Sequence, residues 1–181
     1  DETEGEQLQA LTESAGRETS AEEIEQRKRI GEKRFRGVDV TAEFFGTATP
    51  GKGKYDQDDE VRDAEIKMAH FLLDTLGGNI HVLKAVNRSH VKTPDYLWRG
   101  KLWDLKSTNN SLNALSLRVQ TALKQIVKNP GGAVIDITNA AYSDEDAWAK
   151  IEDRIKTSSH GMKLDVILFR DGIIKTIRRY N

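Results

Sequence analysis

Two aspartates and a lysine are the residues whose types and spacing best suit chemistry. In the stretch PDYLWRGKLWDLK, Asp95 lies near the start of one predicted strand, and Asp104 and Lys106 share one face of the next. If two or four residues join these strands, Leu97 sits opposite Leu102, and Asp95 sits opposite Asp104. Facing carboxylates destabilise a sheet unless a divalent cation, a shared proton or a neighbouring lysine compensates. The pattern therefore predicts an active site at these three residues.

A third carboxylate, Glu65, lies on the predicted helix from residue 59 to residue 76. It falls on the same stripe as Ala69, Leu72 and Leu76, which should face the sheet. A carboxylate on a core-facing stripe is costly unless it is paired or bound to a metal, so Glu65 is a candidate catalytic residue and metal ligand. The alternative is a position at the edge of the stripe, where the helix dipole favours a glutamate.

The charge of the chain is divided unevenly along its length. Residues 1–58 hold 14 acidic and nine basic side chains, and the remainder holds 15 acidic and 19 basic ones. Between residues 84 and 128 there are nine basic side chains and only two acids, Asp95 and Asp104. Such a stretch indicates a surface for a polyanion such as a nucleic acid, although a solvated helix face and hairpin would give the same excess.

Other side chains near these acids are candidates for binding the substrate. The loop Ser107, Thr108 and Asn109 follows the second strand and opens a helix, where hydroxyls, amides and free N–H groups suit a phosphate, or simply cap the helix. His90 and Lys92 lie on the approach to Asp95, and Lys124 and Gln125 lie off the apolar stripe of the next helix. Tyr96, Trp98 and Trp103 fall on the opposite face and are expected in the core.

Composition excludes several classes of protein. The chain has no cysteine, which rules out a disulfide scaffold, a thiolate zinc site and a cysteine nucleophile. Any metal must then be held by oxygen ligands, which favours Mg²⁺ or a similar hard divalent ion. No apolar run approaches the roughly 20 residues of a membrane span, and no signal-peptide core is present, so no stable membrane anchor is expected.

Hydrophobic periodicity predicts one α/β (α+β) domain. From residue 59 onward the elements follow the order α-β-β-β-α-β-α-β-β, which indicates a mixed central sheet flanked by helices. Residues 51–181 are assigned to this domain, with a compact start near Asp58 after a loop at 46–58. Residues 1–50 are assigned to an acidic linker, or to a segment for entering a target cell, with a charged helix over 20–36.

The arrangement of the acids and the lysine resembles the PD-(D/E)xK nuclease superfamily. Pro94-Asp95 and Asp104-Leu105-Lys106 match its motif on two adjacent strands. The resemblance implies that Asp95 and Asp104 hold a divalent metal, that Lys106 orients water or stabilises charge on the phosphate, and that Glu65 completes the site. In such a site the cation stabilises the attacking and leaving oxygens.

A longer stretch of the chain resembles the C-terminal nuclease domain of CdiA-type contact-dependent growth inhibition toxins and other polymorphic toxins. The segments that carry it are EIKMAHFLLDTLGGNIHVL, TPDYLWRGKLWDLKST, NPGGAVIDI and LDVILFRDGIIKTIRR, within residues 51–181. The resemblance implies a ribonuclease, foremost a tRNase. It also implies delivery as the end of a larger secreted or cell-surface protein, action in the target-cell cytoplasm, a cognate immunity protein and, for some relatives, an elongation factor.

Three alternatives remain open. A metal-independent ribonuclease of the barnase, EndoU or colicin type would use Lys106, Ser107 and Thr108 with His81 or His90, and would need no cofactor. A PD-(D/E)xK enzyme could equally cut DNA. A non-catalytic nucleic-acid-binding module of a phage head or secreted protein is the third alternative.

Overall fold

The computed structural model describes residues 21–24, 37–57, 62–85, 93–109 and 111–181. The chain divides into two compact units, Asp1–Arg36 and Gly37–Asn181. In the first unit, residues 21–24 are helical. The rest of the predicted helix over 20–36 lies outside the described residues.

The second unit contains every strand and longer helix of the described chain. Its strands are β1 (Val38–Asp39), β2 (Gly53–Tyr55), β3 (Ile80–Val82), β4 (Tyr96–Trp98), β5 (Lys101–Ser107), β6 (Pro130–Asp136), β7 (Leu164–Arg170) and β8 (Ile173–Tyr180). Its helices are α1 (Thr41–Gly46), α2 (Asp63–Leu76), α3 (Leu112–Ile126) and α4 (Asp144–Ser158). None of the helices in the described part of the chain is long and apolar enough to cross a membrane.

The eight strands form one mixed sheet in the order β1-β8-β7-β6-β5-β4-β3-β2. Strands β5, β6 and β7 are parallel to one another, and α3 and α4 are the helices that connect them. The β3–β4, β4–β5, β7–β8 and β1–β8 pairs are antiparallel. The predicted mixed sheet flanked by helices is therefore confirmed, and the nine predicted elements occur in the predicted order.

Two tight hairpins fix the register of the antiparallel pairs. Arg99 and Gly100 join β4 to β5 with φ angles of 52° and 77°, and Asp171 and Gly172 join β7 to β8 with φ angles of 53° and 79°. Two-residue loops with positive φ at both positions match the twist of adjacent strands. The first hairpin places Leu97 opposite Leu102, as predicted, and the same register brings Asp95 level with Asp104.

The core on one face of the sheet contains the aromatic residues of β4 and β5. Tyr96 and Trp98 are fully buried and Trp103 is 2% exposed, as the alternation predicted. They pack with the apolar stripe of α2, and the Trp98 indole donates a 2.9 Å hydrogen bond to the carbonyl of Gly77. Helix α3 packs on β5 and β6 from the other side, which is the face that carries Asp104.

The segment before α2 is more structured than the sequence suggested. The predicted loop at 46–58 contains β2, which pairs in parallel with β3, so the loop assignment was wrong for Gly53–Tyr55. A three-residue edge strand is too short to show a period, which explains the error. Val40 and Phe44 are buried in the same core as α2, within the compact unit that begins at Gly37. The functional division at residue 50 stays a prediction.

Candidate active site

Asp104 and Lys106 form an ion pair on the face of β5 that α3 covers. Lys106 Nζ lies 3.0 Å from Asp104 Oδ2, and the exposed fractions of the two side chains are 16% and 1%. Residues two apart on a strand share a face, so the sequence spacing alone places the ammonium beside the carboxylate. Burial of an aspartate is costly for a fold even when a lysine pairs with it, so this position is a candidate functional site.

Asp95 precedes β4 and is held from three sides. Its Oδ2 accepts a 2.7 Å hydrogen bond from the backbone N–H of Leu105, and its Oδ1 accepts one of 3.3 Å from Arg62 Nη2. Its backbone carbonyl accepts a 2.9 Å hydrogen bond from the N–H of Leu83. These contacts fix the Asp95 carboxylate beside Asp104, where the sequence predicted it.

The two aspartates cannot both carry a charge cheaply. Burial raises the pKa of Asp104 to about 8, and the charge of Asp95 and a hydrogen bond to it act in the same direction. Attraction to the Lys106 ammonium opposes this rise but does not cancel it. Asp104 therefore holds a proton near neutral pH, unless another cation takes the place of that proton.

Arg62 is a site residue that the sequence did not reveal. It precedes α2, and its guanidinium donates hydrogen bonds to the carbonyl of Leu83 and to Asp95, with 10% of the side chain exposed. It thus joins the start of α2 to the ends of β3 and β4. No periodicity marks a residue in this position, because it acts from just outside a helix on a segment distant in the sequence.

Glu65 lies next to Tyr96 of β4 and does not form a metal-binding group with the aspartates among the described residues. The Tyr96 hydroxyl donates a 2.6 Å hydrogen bond to the backbone carbonyl of Glu65. Burial raises the pKa of the Tyr96 phenol, and the charges of Asp95, Glu65 and Asp104 raise it further. Within the described ranges, no three or more His, Asp or Glu side chains are arranged to hold a metal ion. The role of Glu65 as a ligand stays a prediction.

The predicted phosphate-binding loop comes immediately after Lys106 in the sequence. Ser107 ends β5 and is exposed, as is Asn109, whereas Thr108 is 6% exposed and donates its N–H to the carbonyl of Asp136 at 3.1 Å. Ser111 caps α3, since its Oγ accepts a 3.2 Å hydrogen bond from the N–H of Ala114. The loop therefore serves at least to start the helix, and binding of a phosphate by Ser107, Thr108 and Asn109 stays a prediction.

Lys124 and Gln125 are the two remaining predicted binding residues that the structure describes. Lys124 is exposed on α3, and Gln125 is partly buried on the same helix. In the part of the chain that the structure describes, no hydrogen bond or ion pair joins either of them to Asp95, Asp104 or Lys106. His90 and Lys92 lie outside the described residues.

Comparison with known proteins finds a family that is similar to the part of the chain holding these residues. The fold and the site define an α+β domain with paired carboxylates and a lysine on interior strands of a mixed sheet. The model of the family described as the contact-dependent growth inhibition CdiA C-terminal domain matches residues 92–174, which include Asp95, Asp104 and Lys106. This part of the chain is therefore similar to that family, and the resemblance found in the sequence is confirmed.

The solved structures include one similar chain. It comes from the CdiA-CT/CdiI toxin and immunity complex from Burkholderia pseudomallei, with a TM-score of 0.48 and 19% sequence identity. The similarity covers 71% of this chain and 98% of that chain. No curated protein matches the sequence.

Proposed function

We propose that this chain is a CdiA-type C-terminal toxin nuclease that cleaves RNA, with tRNA as its substrate, at the site formed by Asp95, Asp104 and Lys106. The observation that carries the proposal is the 3.0 Å pair between Lys106 Nζ and the buried Asp104 carboxylate, with Asp95 beside it. An ammonium next to two carboxylates can neutralise charge on a phosphate and hold a water or hydroxyl for attack. The basic excess over residues 84–128 supplies attraction to a polyanion.

Lys106 is the residue assigned to the phosphate. Its side chain is 16% exposed, so it can contact a substrate while it remains paired with Asp104. As the phosphodiester is attacked, negative charge grows on the non-bridging oxygens, and a fixed ammonium stabilises that charge more than the charge of the ground state. Asp95 and Asp104 then act at the attacking oxygen, where the pair can take up a proton.

The donor set fits a hydrated divalent cation. Asp104 Oδ2 is buried and accepts no hydrogen bond of ordinary geometry among the described residues. Its contact with the Lys106 ammonium is an ion pair. Mg²⁺ is commonly bound by one or two carboxylates and keeps several waters. Asp95 and Asp104 would hold such an ion, and Glu65, which is not grouped with them among the described residues, stays the proposed third ligand. When bound, it would act as a Lewis acid on the phosphate.

The metal-independent ribonuclease is the second candidate. The raised pKa of Asp104 supports it, because a carboxyl with a pKa of about 8 can take part in proton transfer without a cation. In this route the 2′-hydroxyl attacks the adjacent phosphate, a proton passes to the carboxylate pair, and Lys106 stabilises the phosphorane charge. Cleavage in EDTA separates the two candidates, since only the first requires a metal.

The experiment incubates the purified chain with labelled tRNA and with plasmid DNA, each in Mg²⁺ and in EDTA. We expect cleavage of the tRNA. Intact tRNA beside nicked plasmid would favour the DNA endonuclease, and no cleavage of either would favour a non-catalytic binding module. Lys106→Ala tests the site, and Lys156→Ala, an exposed lysine at the end of α4, is the matched control.

The family also suggests partners and a route of delivery. We propose that the domain is delivered as the end of a larger secreted or cell-surface protein, acts in the cytoplasm of the target cell, and is neutralised by a cognate immunity protein. An elongation factor is a further proposed partner. A pull-down with the protein encoded next to the toxin tests the immunity partner, and loss of tRNA cleavage on mixing is the expected result.

A further inference from the structure

A histidine–aspartate pair lies on the same face of the sheet as the two site aspartates. His81 Nε2 is 2.7 Å from Asp56 Oδ1, and Asp56 Oδ2 accepts a 3.1 Å hydrogen bond from the backbone N–H of Lys84. His81 is in the middle of β3 and pairs with Leu97 of β4, which pairs with Leu102 of β5. Because paired residues share a face, His81 and Asp104 belong to the same face.

The hydrogen bonds determine which ring nitrogen of His81 carries the proton. The hydrogen bonds from His81 and the Lys84 N–H hold the pKa of the Asp56 carboxyl below its ordinary value. An ionised carboxylate only accepts, so Nε2 must be the N–H donor. Nδ1 has no hydrogen-bond partner in the described part of the chain, and 25% of the His81 side chain is exposed. Nδ1 is therefore the nitrogen that remains for another ligand.

The position of His81 suits the far side of a phosphate bound at the aspartates. On antiparallel strands, diagonal neighbours lie about 7–8 Å apart. His81 and Asp95 are such neighbours, since His81 pairs with Leu97 and the Leu83 N–H binds the Asp95 carbonyl next along the ladder. An in-line displacement at phosphorus needs one group at the attacking oxygen and another at the leaving oxygen on the opposite side. The two pairs lie on one face at about this separation, so a phosphate held between them would have one group near each of these two oxygens.

We propose that His81 is the general acid of the reaction, positioned by Asp56, and that it protonates the leaving oxygen of the RNA phosphodiester; this rests on the proposed nuclease function. A bond forms between phosphorus and the attacking oxygen of water or the 2′-hydroxyl, and the bond from phosphorus to the leaving oxygen breaks. The attacking group loses its proton to the carboxylate pair, and the leaving oxygen receives a proton from Nδ1 of protonated His81. Solvent then returns His81 to its protonated form.

The pair between His81 and Asp56 contributes little to the stability of the fold. Strands β2 and β3 are already joined by their backbone ladder from Gly53 to Tyr55, and the Asp56 N–H continues it to the carbonyl of Val82 at 3.0 Å. A side-chain tie with both partners partly exposed contributes only modestly to stability. The ring is partly exposed, and when it is protonated its Nδ1–H can donate to a substrate while Nε2–H stays bound to Asp56.

The products of wild-type cleavage first identify the leaving oxygen of the scissile bond. The test then uses RNA in which sulfur replaces that oxygen. A thiolate leaves without a proton, so loss of a general acid slows cleavage of the oxygen substrate but not of the sulfur substrate. We expect His81→Gln to slow cleavage of ordinary RNA about 100-fold or more and to leave cleavage of the sulfur RNA within a few-fold of wild type. Asp56→Asn should show the same pattern with a smaller loss.

His70→Gln is the matched control, since His70 is an exposed histidine on α2 that bonds the Tyr55 hydroxyl. It should cleave both substrates like the wild type. Equal losses of His81→Gln on both substrates, or no loss on either, would overturn the role of His81 while the nuclease function stands. If His81→Gln is unfolded by circular dichroism, the folded Asp56→Asn variant decides by the same comparison. A wild-type chain that cuts neither RNA overturns both proposals.

Discussion

Lys106 Nζ lies 3.0 Å from Oδ2 of Asp104, whose side chain is only 1% exposed, so a buried acid and a partly exposed base meet on one strand. Asp95 approaches the same carboxylate from the start of β4, held by the N–H of Leu105 and the guanidinium of Arg62. Burial of Asp104 beside Asp95 is electrostatically unfavourable, and the fold alone does not require it. That cost is the reason to expect both a pH-dependent stability and a chemical role at this position.

The unfolding free energy of Asp104→Asn should increase relative to that of the wild type as the pH rises. Asp104 has its pKa raised from 3.8 to about 8 by burial and by Asp95. Between these values the folded chain holds a proton that the unfolded chain releases, so the wild type loses stability as the pH rises, whereas the asparagine side chain of the variant does not titrate. The difference in unfolding free energy should grow by on the order of a few kcal/mol over this range and then level off.

Urea unfolding in EDTA at several pH values measures this difference. Asp153→Asn, an exposed aspartate on α4, is the matched control and should show no such growth. A constant difference between Asp104→Asn and the wild type across the range would show that Asp104 is ionised in the folded protein at all these pH values.

Phe44→Ala should destabilise the domain although residue 44 lies in the segment that the sequence assigned to a linker. Phe44 is 4% exposed, and its ring centroid lies 6.1 Å from that of Trp98 and 6.2 Å from that of Trp103. Truncation of a buried phenylalanine costs about 3–5 kcal/mol. Chemical denaturation measures the loss. The neighbouring Phe45 is 47% exposed, so Phe45→Ala is the control, and equal effects of the two would contradict the described packing.

The aspartate–lysine site was predictable from the sequence because it depends on local geometry. Asp104 and Lys106 are two apart on one strand, and the Arg99-Gly100 turn fixes the register that brings Asp95 to them. Buried tryptophans on the opposite face follow from the same alternation. Each of these features follows from the period of a strand and the length of a turn.

The parts that could not be predicted depend on contacts between distant segments. Arg62 and Asp56 lie just outside regular elements, and each bonds a residue more than twenty positions away along the chain. Strand β2 has only three residues and pairs in parallel at the sheet edge, so its sequence carries no period. Such contacts follow from the order of strands in the sheet, which the one-dimensional pattern does not contain.

Arg62→Met should reduce RNA cleavage more than it reduces stability. The guanidinium bonds the carbonyl of Leu83 and the carboxylate of Asp95, so its loss frees Asp95 to move. Misplacement of a reacting group by about 1 Å costs up to about 100-fold in rate, and we expect a loss of about 10- to 100-fold in kcat. Lys67→Met, on the same helix and without a contact to Asp95 among the described residues, is the control. Unchanged kcat for Arg62→Met would exclude a positioning role for Arg62.

The most direct test of the central claim is cleavage of labelled tRNA by the wild type and by Lys106→Ala, each in Mg²⁺ and in EDTA. The wild type should cleave the tRNA, and Lys106→Ala should be slower by about 100-fold or more, because the ammonium beside Asp104 stabilises the charge on the phosphate. Lys156→Ala should match the wild type. Equal cleavage by the wild type and Lys106→Ala, or intact tRNA with both, would contradict a nuclease site at Asp95, Asp104 and Lys106.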